Sequence, residues 1–268
     1  MWEEREFLIF AKTYPEYSST YVETVCTAAI LKDMGKLLRL YPIPFRYLTG
    51  EHQFRKYQWV TAKLKKNPKD DRPESHWIKP DSINLGDAIG TQNGWEVRKQ
   101  RLLSYPQNIY GSLEALHDQQ QKDGTSLGII KPKRIIGFQV QSKTQSEISE
   151  VTQKKVQILA QRSFVVEKKD LELIPNRFLI SFVCVYRQCK EHQISILDWE
   201  FGQLYRNVVG TDGWQEKIKT KVEGICSKSN DVYFFLGNLA KRLNTFCILG
   251  IFYPPKAPAQ QLRLFPSR

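Results

Sequence analysis

The residues best suited to chemistry fall in three short groups. Cys184, Cys189 and His192 are spaced Cys-x4-Cys-x2-His and bring three soft metal donors within nine residues. Structural zinc sites ordinarily add a second pair of ligands. No second pair is visible here, so Cys226 or a distant histidine would have to complete the set. The apolar neighbours of Cys184 fit the plainer reading of a core thiol. Asp198 and Glu200 follow the apolar run Ile194 to Leu197 at a strand-to-helix junction. They read as a helix N-cap and an acidic first turn, or alternatively as the Mg2+ ligands of a nuclease. No Glu-x-Lys sits convincingly on a neighbouring strand, and there is no His-Asn-His pattern. The third group is Arg72-Pro73-Glu74-Ser75-His76. In an extended chain Arg72, Glu74 and His76 point the same way. That would set a phosphate-binding guanidinium beside two proton-transferring groups. An Arg–Glu pair with an exposed histidine is the simpler alternative. A phosphate-cradling glycine-rich loop and a Gly-x-Ser-x-Gly elbow are both missing, so neither an ATPase nor a serine hydrolase is expected.

A second kind of chemistry is phosphate and base recognition. The segment Phe54 to Arg72 holds Arg55, Lys56, Lys63, Lys65, Lys66, Lys69 and Arg72 against Asp70 and Asp71. Alternation puts Tyr57 and Trp59 on one strand face. Cations beside stacking rings are what a nucleic-acid surface needs. The competing reading is a solvated strand edge whose lysines suppress aggregation. Lys131, Lys133 and Arg134 form a smaller basic cluster, as do Arg98, Lys99 and Arg101.

The elements that must position these groups follow from periodicity. Strands are expected over Phe7 to Ala11, Thr24 to Leu31 and Lys36 to Tyr41, the last two joined by the turn Asp33-Met34-Gly35. Pro42 and Pro44 should end that ladder. Tyr57 to Leu64 alternates as a strand. Helices are expected over Trp95 to Leu103, Ser112 to Gln121 with Ser112 as N-cap, and Ser146 to Gln161 with Ser146 or Ser149 as cap. Segment 126–140 returns to strand. Strands over Phe178 to Tyr186 and Ile194 to Leu197 precede helices over Trp199 to Val208 and Trp214 to Ile225. Val232 to Leu236 and Phe246 to Phe252 read as paired buried strands. The fold class is therefore α+β, with antiparallel β-rich N- and C-terminal parts and a helical middle. The polar stretch Thr144 to Gln161 divides a subdomain over 1–143 from another over 144–253, although one continuous α+β domain fits nearly as well.

Composition narrows the class. The 268 residues include 41% hydrophobic ones, enough for one large core or two modest ones. Lys and Arg total 40 against 28 acids, a net charge of +12 that favours a polyanionic partner. No run of about 18 apolar residues suggests a membrane span. Acids precede the first apolar run, unlike a secretory signal, so an intracellular, cytoplasmic protein with no membrane partner is expected. The five cysteines, an odd number widely spread, then read as reduced thiols.

The segment 254–268 opens with Pro254-Pro255-Lys256-Ala257-Pro258, whose prolines favour an extended tether. It continues Gln261-Leu262-Arg263-Leu264-Phe265. This pentapeptide resembles the motif by which many bacterial polymerases and repair proteins dock on the ring-shaped sliding clamp. The resemblance implies that Leu264 and Phe265 fill an apolar pocket, Leu262 adds contact and the Gln261 amide hydrogen-bonds in a side pocket. Across the body, Glu23-Thr24-Val25-Cys26-Thr27-Ala28, Arg39 to Arg46, Arg72 to Ser75 and Tyr233 to Gly237 look like a group of uncharacterised prokaryotic proteins. That likeness carries no activity.

Together these features lead to the expectation of a DNA-binding protein recruited by a sliding clamp to replicating or damaged DNA, in repair, replication or genome defence. One alternative is a metal-dependent nuclease using Asp198 and Glu200, with Glu74 and His76. Another is an RNA-binding or modified-base-reading module. No cofactor is firmly implied; Mg2+ would accompany the nuclease.

Overall fold

The computed structural model describes residues 1–18, 22–160, 171–186 and 189–256, apart from the side chain of Leu159. Its N-terminal part is built from β1 (Glu3–Lys12), β2 (Glu16–Ser18), β3 (Val22–Leu31), β4 (Leu37–Ile43), β5 (Gln58–Lys66), β6 (Ser75–Ile78) and β7 (Asn84–Ala88). β1 is long enough to pair twice. Glu3 to Leu8 run antiparallel to β5, and Phe7 to Lys12 run antiparallel to β3, with a bulge between Ile9 and Ala11. β3 pairs β4, β4 pairs β6 in parallel, and β6 pairs β5. The ladder β1-β3-β4-β6-β5 thus returns to β1 and closes a barrel, with β2 and β7 attached outside the ring. A five-stranded Greek-key barrel of this kind, with one parallel pairing in the ring, has the architecture of the oligonucleotide- and oligosaccharide-binding (OB) fold.

The barrel closes because one side chain in two is apolar and turned inward. Phe7 and Ile9, Val25 and Ala29, Leu38 and Leu40, and Val60, Ala62 and Leu64 fill its interior together with Ile43 and Ile78. The β3–β4 turn needs Gly35, whose φ is +61° and where any Cβ would strike the Tyr105 ring. Pro42 lies inside β4 rather than ending it; Ile43 still pairs Val25. The proline's missing donor is tolerated because the register shifts between Val25 and Thr27.

The C-terminal part is a layered sheet. β8 (Ile109–Tyr110), β9 (Leu127–Ile130), β13 (Tyr233–Leu239) and β14 (Arg242–Phe252) form one ladder in the order β14-β13-β9-β8. β10 (Arg134–Ser142), β11 (Asn176–Val183) and β12 (His192–Ser195) form another. A parallel bridge between Ile196 and Ile248 joins them edge to edge. Two faces of β13 are buried, which explains its unbroken apolar run. Phe234 and Leu236 meet the helical layer, where Leu113, Leu116, Phe201, Tyr205, Ile218 and Val222 pack. Phe235 turns the other way and meets the barrel's outer surface, where Leu8, Phe10, Ala28, Ile30 and Leu37 await it. The Phe10 and Phe235 rings lie 4.6 Å apart, centre to centre.

The helices are α1 (Gln92–Leu103), α2 (Leu113–Asp123), α3 (Gln145–Ala160), α4 (Trp199–Val208) and α5 (Trp214–Ile225). The class is α+β, as expected. Ser112 caps α2 by accepting from the Ala115 amide at 3.1 Å, and left-handed Gly124 ends it. The cap of α3 is Thr144, not Ser146 or Ser149. Thr144 Oγ1 accepts from Glu147 N at 3.3 Å, while Glu147 Oε2 accepts from Thr144 N at 3.0 Å, a reciprocal capping box.

The division at residue 143 is corrected. β8 and β9 belong to the same sheet as β13, and β10 to the same sheet as β11. Long-range pairing therefore moves residues 109–142 into the C-terminal part, whatever the polarity of the stretch that follows them. Among the described residues, no helix is long and apolar enough to cross a membrane.

Candidate nucleic-acid interface and metal-ligating cluster

Asp198 and Glu200 are organised around a lysine. Asp198 Oδ1 accepts from the Glu200 and Phe201 amides at 2.6 and 3.4 Å and caps α4. Its other oxygen accepts from Lys56 Nζ at 3.2 Å, and Glu200 accepts from the same ammonium at 3.1 Å. Burial alone would discharge Lys56, but the Asp198 and Glu200 carboxylates hold its pKa above the ordinary lysine value. Beside them Lys12 Nζ lies 3.5 Å from the Phe45 ring centre and 4.5 Å from that of Trp199. Burial pushes Lys12 down to about 8, against the pull of Glu200 and Asp198. Two of the expected roles fall together here: Lys56 is not a phosphate ligand at the surface, and the two carboxylates serve a cap and an ion pair.

The Arg72–His76 segment opens as a turn, not an extended strand; Ser75 N donates to Arg72 O at 3.1 Å. Arg72 is buried and donates to the Asn238 carbonyl at 3.0 Å and to Asp70 at 2.6 and 2.8 Å. It ties the β5–β6 loop to β13 and is unavailable to a phosphate. Glu74 points elsewhere. Its oxygens accept from Ser126 N at 2.9 Å, Ser126 Oγ at 2.7 Å and Leu127 N at 3.3 Å. Arg39, 2% exposed, donates to the Ser126 carbonyl at 2.7 Å from the other side. Burial pushes His76 below its ordinary value, and its Nδ1 lies 2.8 Å from the Glu74 carbonyl. Among the described residues, Asp198, Glu200, Glu74 and His76 do not converge into a metal-binding group.

Asp70 yields a pH prediction. Burial opposes its charge, but hydrogen bonds from Arg72 and Ser75 prevail and hold its carboxyl at about 2, below the ordinary 3.8. A depressed folded pKa supplies stability above the unfolded value and loses it as pH falls through the folded one. Asp70→Asn should therefore be less stable than the parent at neutral pH, with the gap narrowing between pH 3.8 and about 2. Urea midpoints measured across that window check this; a gap independent of pH would contradict it.

The remaining cations sort by what opposes them. Arg55 is exposed. Lys63 faces Glu4 across the β1–β5 ladder. Lys66 Nζ donates to the Arg72 and Pro73 carbonyls. Lys131 pairs with Asp231 at 3.0 Å and lies over the Tyr233 ring, whereas Lys133 and Arg134 are exposed. The expected stacking face does not form: Tyr57 is 6% exposed and packs between Trp95 and Phe252, and Trp59 is half-buried against the same core.

A different aromatic pair is presented instead. The β4–β6 register sets Arg39 beside Ser75 and Leu40 beside His76, so Tyr41 and Trp77 follow on the same outer face. The C-terminal sheet covers that face at Arg39 but not at Tyr41. Tyr41, Trp77, Lys69, Asp71, Ala240 of the β13–β14 turn and Leu243 of β14 line a cleft of about 430 Å3. Lys65 stands across the ladder from Trp77, Lys241 is exposed in the turn and Arg242 is exposed at the start of β14. Period-2 alternation from Ile78 would have pointed Trp77 outward; its neighbour Tyr41 is set by the parallel pairing, which leaves no local signal. A larger cleft of about 810 Å3 is lined from β1, β4, β5, β6 and α2 and holds Arg5, Lys36, Lys65 and Lys66 with Glu3, Glu74 and Asp123; there Arg5 pairs with Glu3, and Glu74 accepts from the Ser126 and Leu127 amides.

Cys184, Cys189 and His192 do come together, and Glu114 at the start of α2 joins them. Glu114 escaped sequence reasoning because nothing near it in the chain suggests a ligand. Gln261, Leu262, Leu264 and Phe265 lie outside the described residues.

Residues 3–104 match a family model described as a domain of unknown function, DUF8758, and residues 107–267 match one described as a domain of unknown function, DUF8757. The change of model falls where the barrel part gives way to the sheet of the C-terminal part. No curated protein matches the chain.

Proposed function

The chain belongs to the DUF8757 family, whose function is unknown, and from the surface described above we propose that it binds single-stranded DNA and is brought to it by a sliding clamp. The observation that carries this is the Tyr41–Trp77 pair on the outer face of an OB-type barrel, with Lys69 in the same cleft, Lys65 across the ladder from Trp77, and Lys241 and Arg242 exposed between the lining residues Ala240 and Leu243. OB barrels take oligonucleotides across the outer face of their second and third strands, between the loops that flank it. In this chain those strands are β3 and β4. The C-terminal sheet covers part of that surface at Arg39; Tyr41, on β4, and Trp77, on the adjoining strand β6, stand outside it beside the loop 67–74. Rings stack on bases of any sequence while lysines track the phosphates. The preference for DNA rests on the clamp-like pentapeptide, which fits a cytoplasmic task in replication, repair or genome defence.

Titration of short single-stranded DNA, single-stranded RNA and duplex DNA against the full chain tests the proposal. Single-stranded DNA should bind tightest, with log K falling linearly in log salt. Reversing Lys65, Lys69, Lys241 and Arg242 to Glu should flatten the slope by roughly 0.7 per lost contact. Tighter binding of RNA or duplex, or a slope indifferent to all four reversals, would overturn it.

The tail is tested separately. The isolated peptide should bind a clamp with micromolar affinity, about −8 kcal/mol, because ordering an extended segment offsets part of the contact energy. Leu264→Ala with Phe265→Ala in the full chain should abolish clamp binding and leave DNA affinity unchanged. Clamp binding that survives the double substitution would dispose of this half of the proposal.

A further inference from the structure

The β11–β12 connection carries an unusual concentration of donors. Cys184 follows the last residue of β11, Cys189 lies in the loop and His192 opens β12. Glu114 reaches them from the first turn of α2, a helix fixed in place by its Ser112 cap and by Leu113 and Leu116, which share the core with Cys184 and Ile194. One ligand atom from each of Glu114, Cys184, Cys189 and His192 lies within 4.8 Å of all the others. Cys189 Sγ is 3.1 Å from His192 Nε2, and that nitrogen is 3.2 Å from Glu114 Oε1. The Cys184 amide donates to the Cys189 sulfur at 3.0 Å, as a backbone wrapped around a metal-bound thiolate does. This is the one group of three or more His, Cys, Asp or Glu donors that meets among the described residues.

From this geometry we infer that the chain binds one Zn2+ through Cys184, Cys189 and His192, with Glu114 closing the fourth position. Zinc sits about 2.3 Å from sulfur and about 2.0–2.2 Å from nitrogen or oxygen, so the edges of its tetrahedron run roughly 3.3–3.8 Å. The two contacts at 3.1 and 3.2 Å are already close to such edges. The donor set selects the ion. Two thiolates and an imidazole disfavour Mg2+ and Ca2+, which take oxygen, and four mixed N, O and S ligands suit tetrahedral zinc. All four positions are filled by the protein, so the ion is a staple rather than a catalyst. It fastens the start of α2 to the β11–β12 hairpin, two segments far apart in sequence. A core thiol explains Cys184 alone; it does not explain three further donors converging on it.

The test uses the full chain, purified under reducing conditions without chelator from zinc-supplemented cells. Elemental analysis should find one zinc per chain, and Cys184→Ser and Cys189→Ser should each reduce it to background. Cys226→Ser, outside the cluster, should keep it. Loss of a buried ligand can unfold the region, so cobalt substitution supplies a second readout. Co2+ should give the intense visible bands of a tetrahedral site with thiolate charge transfer, strengthened in His192→Cys by a third sulfur. Glu114→Gln alters a half-exposed side chain; it should weaken zinc retention against a competing chelator at least tenfold, the lower bound for disturbing such a site. Substoichiometric zinc in reduced, zinc-loaded protein, full zinc in both cysteine variants, or a weak octahedral cobalt spectrum would each overturn the site. Unchanged retention in Glu114→Gln would overturn the assignment of the fourth ligand.

Discussion

Replacing Asp198 with alanine is expected to destabilise the protein by about 3–5 kcal/mol, the cost of leaving a buried charge without its partner. The Lys56 side chain is 10% exposed, and its other carboxylate, Glu200, is 63% exposed and so largely screened by water. Asp198 also caps α4 through two amides, a contribution of about 0.5–2 kcal/mol that overlaps with the first. The order of the related variants discriminates the cause. Asp198→Asn keeps much of the cap but not the charge and should fall between alanine and wild type. Lys56→Met leaves Asp198 with its amides and should lose less than Asp198→Ala. Glu200→Ala should stay within about 1 kcal/mol of wild type. Urea denaturation of the four variants, with midpoints and slopes compared, gives the ranking. A loss below about 1 kcal/mol in Asp198→Ala would mean that the Lys56 ammonium is not confined as described.

Removing both rings of the open barrel face is expected to abolish binding of single-stranded DNA in practice. Each stacked base contributes roughly 1–3 kcal/mol, so Tyr41→Ala with Trp77→Ala should cost about 2–6 kcal/mol, or some 30-fold to 10⁴-fold in affinity. Neither ring fills the barrel interior, where Leu40 and Ile78 point instead. Tyr41 is 36% exposed and Trp77 half-buried, so the fold should survive. Its far-ultraviolet circular dichroism and melting curve serve as the control. Tyr41→Phe keeps a stacking face and should bind nearly as the parent does; Trp77→Phe should retain most of the affinity. A folded double-alanine protein with undiminished affinity would refute the assignment of this face, and the exposed pair Lys133 and Arg134 would then be the next surface to probe.

Much of this could be read along the chain. The bounds of α4 and α5, the Ser112 and Gly124 ends of α2, the Asp198 cap and the pairing of β13 with β14 were all legible, because caps and apolar periodicity are set within a few residues. The two short strands β6 and β7 were not legible. Each owes its existence to β5, which pairs with both. The capping box at Thr144 was missed in favour of two nearby serines, although its Thr-x-x-Glu pattern lay in the open.

By itself the sequence determined the class of the fold, most of its elements and the surplus of positive charge. It also placed three metal donors in one short stretch. Tertiary structure alone decided which of those residues face water. Lys56 and Tyr57 sit in the most basic stretch of the chain, yet one is paired with a carboxylate 142 residues away and the other lies in the core between barrel and sheet. Arg72 and Glu74 are near neighbours in the chain but bind Asn238 and Ser126, on different segments. Glu114 joins Cys184, Cys189 and His192 only because α2 packs its apolar side on the hairpin's core. The physical reason is common to all of them. A side chain's local pattern fixes which face of its own strand or helix it occupies, but burial, charge partner and ligand geometry depend on which distant segment covers that face, and here barrel closure and the packing of a second sheet on the barrel make that choice.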